Sequence, residues 1–173
     1  FTTVRLHRQP TEGRPASVGT GFLCRVPYDE AHHFFLLVTN RHIVDRNCGE
    51  LRFSVTKQAL NSDSPLVGQV HQYAITDTGA GCLEHPNPIV DLACVNVTEA
   101  LTQTNRNFFR SIERPMFGTF QEPDLVAGGE VLFVGYPDGR YDQVNNLPLL
   151  RKGYIASMPQ ADYDGLPHFV IDA

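Results

Sequence analysis

Short runs of β-forming residues recur along this chain, and each is closed by glycine, proline, asparagine or aspartate. The clearest are residues 18–25 (VGTGFLCR), 34–39 (FFLLVT), 51–56 (LRFSVT), 67–75 (VGQVHQYAI), 89–97 (IVDLACVNV), 131–136 (VLFVGY), 149–157 (LLRKGYIAS) and 168–171. Residues 51–56 alternate with period two, and 34–39 is continuous enough to be buried on both faces. The run 131–136 ends at Pro137-Asp138-Gly139, a strong turn signal. A helical pattern appears only at 98–109, with Thr98 as a possible cap and Leu101, Phe108 and Phe109 as anchors. Fourteen glycines and twelve prolines in 173 residues supply the turns such a chain needs. The pattern predicts an all-β fold of the barrel or sandwich kind. Residues 105–127 have little periodicity and predict a connection between two lobes.

Charge and cysteine usage narrow the function classes. Fourteen basic against nineteen acidic residues leave a net charge of −5, which argues against nucleic-acid partners because phosphate binding needs a cationic face. The longest apolar run, residues 34–38, has five members. A membrane-spanning helix needs about 20, so no membrane partner is expected. Cys24, Cys48, Cys82 and Cys94 are widely spaced, with no C-x-x-C. They read as reduced thiols in a cytoplasmic setting rather than a disulfide framework. The chain opens on Phe1 and ends on residues 169–173 (FVIDA), which reads as an excerpt stopping inside a strand.

Three local features carry chemistry. Residues 37–44 (LVTNRHIV) run a buried strand straight into His42. Residues 90–95 (VDLACV) hold Asp91 within an apolar strand pattern, where a carboxylate is costly unless hydrogen bonds or a cation compensate it. Gly19-Thr20-Gly21-Phe22 is a glycine-rich strand start preceding the histidine. A metal site assembled from His32, His33, His42, His71, His85 and Cys82 lacks any H-E-x-x-H or C-x-x-C spacing. No metal and no cofactor are expected.

The order of these features resembles the trypsin-like (chymotrypsin-like) serine peptidases: a G-x-G-F strand, a strand ending in His, then D-L-A-x-V 49 residues later. Residues 131–139 (VLFVGYPDG) are similar to the second-barrel strand and "GYP.G" turn of bacterial relatives. Residues 141–148 (YDQVNNLP) and 151–157 (RKGYIAS) are similar to the "WD..NN.P..R.G..A" stretch of one bacterial branch, and 169–173 to the strand before its nucleophile loop. The resemblance implies two antiparallel β-barrels, the second incomplete: a first lobe at 1–105, a connection at 106–127 and a partial second lobe at 128–173. It implies hydrolysis of a protein or peptide substrate by a Ser-His-Asp triad, with His42 as general base and Asp91 orienting it. Ile43, where many secreted relatives have cysteine, points to an intracellular or bacterial-type relative.

The nucleophile loop, of the form G-x-S-G, is expected beyond Ala173. None of Ser17, Ser54, Ser62, Ser64, Ser111 and Ser157 has the flanking glycines that would let backbone N–H groups form an oxyanion hole. A cysteine at the nucleophile position is an open alternative. These 173 residues alone are expected to be inactive. Additional domains or a regulatory protein partner fit the bacterial pattern. The competing expectation is a catalytically inactive trypsin-like domain that serves as a binding or regulatory module.

Overall fold

The computed structural model describes residues 1–173 apart from 14, 45–47, 77, 79–80 and 105. Two antiparallel sheets frame the described residues. The larger contains β1 (Thr3–Arg8), β2 (Ser17–Pro27), β3 (His33–Thr39), β4 (Leu51–Gln58), β5 (Pro65–Ile75), β6 (Cys82–Glu84), β7 (Ala93–Asn96) and β8 (Asn107–Phe108). Its order is β5-β4-β1-β2-β3-β7-β6, with β8 added to β4. The smaller sheet has the order β11-β10-β9, from β9 (Glu130–Gly135), β10 (Leu149–Ile155) and β11 (Ile171–Asp172). No strand pair among the described residues closes either sheet into a barrel.

Alternation decides which face of the larger sheet becomes core. In β1, Val4 and Leu6 are buried while Thr3, Arg5 and His7 face the other way. Leu23, Leu37, Leu51, Phe53, Val55 and Val95 from the neighbouring strands meet the same core. Burying such side chains contributes about 1.5–3 kcal/mol each. The smaller sheet is thinly covered: Leu132 and Leu150 are each about two-thirds exposed, and within β10 only Gly153 and Ile155 are buried.

Thr20 joins the two sheets. Its Oγ1 accepts a hydrogen bond from the Tyr136 amide at 2.8 Å, just past β9, and its carbonyl accepts one from Thr39 Oγ1 at 2.8 Å. Gly135 makes the approach possible, because a Cβ there would lie 2.9 Å from Thr20 Oγ1. Tyr136 is buried, and burial, together with nearby Tyr141 and against the pull of Arg5, pushes its phenol up to about 12.

Several expectations need correcting. The one short helix expected within 98–109 is present as α1 (Thr98–Thr102), but it stops before the expected anchors Phe108 and Phe109. Thr98 makes no cap; its hydroxyl instead accepts the Phe35 amide at 2.8 Å. Phe108 pairs with Thr56 as part of β8. Only 93–96 of the 89–97 run is strand, so Asp91 precedes β7 rather than lying inside it. The 168–171 run yields a strand only at Ile171–Asp172. The lobe boundary expected at Asn105 falls outside the described residues; β8, just after it, belongs to the larger sheet. No helix among the described residues is long and apolar enough to cross a membrane.

Candidate active site

The pairing of β3 with β7 creates the site. Thr39 lies opposite Ala93, and continuing that antiparallel register two places brings Arg41 opposite Asp91. The Arg41 amide accordingly donates to the Asp91 carbonyl at 3.3 Å. A tight turn follows, in which the Ile43 and Val44 amides donate to the Asn40 carbonyl. Ile43 and Val44 are buried and anchor the turn in the core. Gly19 lets Ile43 seat: a Cβ there would lie 2.8 Å from Ile43 Cγ1. Gly21 serves β3 in the same way, since its Cβ would lie 2.7 Å from Leu37 Cδ1 and 3.0 Å from Leu6 Cδ1. The glycine motif is thus a packing device beneath the histidine turn.

That turn aims His42 at Asp91. The His42 amide donates to Asp91 Oδ1 at 3.0 Å, and Nδ1 of the ring lies 2.6 Å from Asp91 Oδ2. Both carboxylate oxygens are therefore engaged by one residue. Desolvation pushes the Asp91 carboxyl up, but the hydrogen bonds from the His42 ring and amide, attraction to that ring and the Asn40 side chain outweigh it. The carboxyl is held below its usual range. With Nδ1–H donated to a carboxylate, the lone pair of His42 is on Nε2, which has no partner among the described residues. The pair lies open to solvent, with side-chain exposures of 63% for His42 and 45% for Asp91.

The two predicted site residues are thus brought together. The sequence reading missed their supports. Asn40 Nδ2 donates to the Asp91 carbonyl at 3.1 Å, and Arg41 Nη2 donates to the Pro88 carbonyl at 2.6 Å, tying the histidine turn to the segment that carries Asp91. Their only signal was position, immediately before the histidine. No serine hydroxyl or cysteine thiol among the described residues is hydrogen-bonded to His42. Ser157 is occupied elsewhere, accepting the Val170 amide at 2.8 Å.

The other histidines have local partners. His32 meets Asp29, His71 meets Asn107, and His85 meets the amide of Asn87. No three His, Cys, Asp or Glu side chains among the described residues converge as metal ligands do. All four cysteines are free thiols.

No protein-family model matches this chain, and no curated protein matches its sequence.

Proposed function

We propose that these residues form the histidine- and aspartate-bearing part of a trypsin-like serine endopeptidase. In this reading the larger and smaller sheets correspond to the first and second β-barrels of that fold. The observation that carries it is the contact of His42 Nδ1 with Asp91 Oδ2 at 2.6 Å, reinforced by the His42 amide on Oδ1. Asp91 holds the imidazole in the tautomer whose Nε2 accepts a proton, and it stabilises the imidazolium that results. His42 takes the proton of a serine hydroxyl as that oxygen attacks the peptide carbonyl, then returns it to the leaving amine. Water repeats the cycle on the acyl-enzyme. The serine and the oxyanion-binding amides are supplied from outside these 173 residues, and the setting is cytoplasmic.

The openness of the His42–Asp91 pair favours a second reading. A pair this exposed also suits a trypsin-like domain that binds or regulates a protein without cleaving it. Fluorophosphonate labelling separates the two. The native polypeptide carrying these residues labels if it is a serine peptidase, and His42→Ala abolishes the labelling. Asp91→Asn lowers kcat by roughly 10³–10⁴. A native protein that resists the probe, or labelling indifferent to His42→Ala, refutes the peptidase assignment.

A further inference from the structure

A groove of about 690 Å³ lies on the outer face of β1, β4 and β5, walled by the 141–146 segment. Its side-chain donors come from adjacent strands. His7 stands opposite Arg52 across the β1–β4 ladder, and Arg5 lies two residues along β1 on the same face. Arg5 stacks on Tyr141, with its guanidinium carbon 4.9 Å from the ring centroid. Its Nε is buried and has no hydrogen-bond partner among the described residues. Gln9 Nε2 lies 3.1 Å from His7 Nδ1; with Gln9 donating, His7 is left with Nε2–H as a donor. Arg52 pairs with Glu50. No aspartate or glutamate is among the described residues lining the groove. In a chain of net charge −5, this places two guanidinium groups and a histidine in a groove whose described lining carries no carboxylate.

The spacing identifies the ligand. Arg5 and His7 are separated by about 6.7 Å along the strand, the repeat of same-side side chains in any extended peptide. A single phosphate needs donors that converge on one point, whereas a row at this repeat matches carboxylates on alternate residues. Gln72, on β5, adds a side-chain amide suited to a peptide backbone. Strand β5 ends the larger sheet, so its outer edge has no strand partner among the described residues. We propose that the groove docks an extended acidic polypeptide segment bearing carboxylates at alternate positions. The lining includes neither His42 nor Asp91, so the proposal stands apart from the peptidase reading.

Fluorescence anisotropy tests it on the native polypeptide carrying these residues, using a labelled Glu-Ser-Glu-Ser-Glu-Ser peptide and its Gln-for-Glu counterpart. The acidic peptide binds, the neutral one does not, and salt weakens the binding. Arg5→Gln and Arg52→Gln each weaken it by about fivefold, the scale of one exposed ion pair. Arg52 has an exposed side chain, so its substitution keeps the test valid if Arg5→Gln disturbs the packing on Tyr141. Equal binding of the two peptides, no change in folded Arg52→Gln, or displacement by equimolar inorganic phosphate overturns the proposal. The last outcome reassigns the groove to a small anion.

Discussion

His42 and Asp91 show how one contact serves two ends. The carboxylate fixes the ring, and it also fastens the turn through the His42 amide. Because the carboxyl is held below its usual range, folding is linked to pH through it. The sign follows from the direction of the shift. The contribution is fully present above the unfolded carboxylate value of about 4. It is lost as pH falls through the lower folded value. Exposed pairs contribute about 0–1 kcal/mol, so Asp91→Asn lowers the urea midpoint slightly at pH 7. The gap from the parent protein narrows as pH falls from 7 through that lower value. A gap of constant size across that range, followed by tryptophan-independent far-ultraviolet circular dichroism, contradicts this linkage.

Elements are aligned by register and then locked by single side chains. The β3–β7 ladder brings Arg41 level with Asp91, 50 positions further along the chain, and every further site contact depends on that alignment. Thr20 is the corresponding lock between β2 and the end of β9. Thr20→Val keeps the side-chain shape but removes the acceptor for the Tyr136 amide. Stranding a partly buried N–H costs about 1–3 kcal/mol. The substitution therefore lowers stability by that amount and speeds hydrogen exchange at Tyr136. Unchanged exchange at that amide means the bond does not hold the sheets together. The short α1 shows the limits of local pattern: the 98–109 window had helical anchors, yet Phe108 gains more by pairing beside β4 and packing edge-on against Phe1.

The whole molecule is unevenly stabilised. The larger sheet owns the continuous buried cluster, whereas the smaller sheet leaves Leu132 and Leu150 largely in solvent. Leu37→Ala removes a fully buried side chain and costs about 2–5 kcal/mol. Leu132→Ser stays within about 0.5 kcal/mol, the range of surface substitutions. Chemical denaturation of both variants checks the contrast, and equal losses would mean the smaller sheet is as tightly covered as the larger.

Much of this architecture was legible in the chain. Period-two patterns and turn residues marked β2, β3, β4, β5, β9 and β10 to within a few residues. Strand β1 escaped because its alternate positions are Arg5 and His7, so only Val4 and Leu6 carry the apolar signal. The order of the glycine, histidine and aspartate motifs along the chain singled out His42 and Asp91; neither residue stood out by itself.

Sequence by itself determined most of the strand-forming segments and the turns between them, since these depend on neighbours a few positions away, and the order of its motifs pointed to the two paired residues. Tertiary structure alone decided that Asp91 sits just outside β7, that Asn40 and Arg41 brace it, and that Arg5, His7 and Arg52 share one groove. Those relations join residues separated by about 45–50 positions. Hydrophobic burial and ladder register bring them together, and neither is written in any local stretch of the chain.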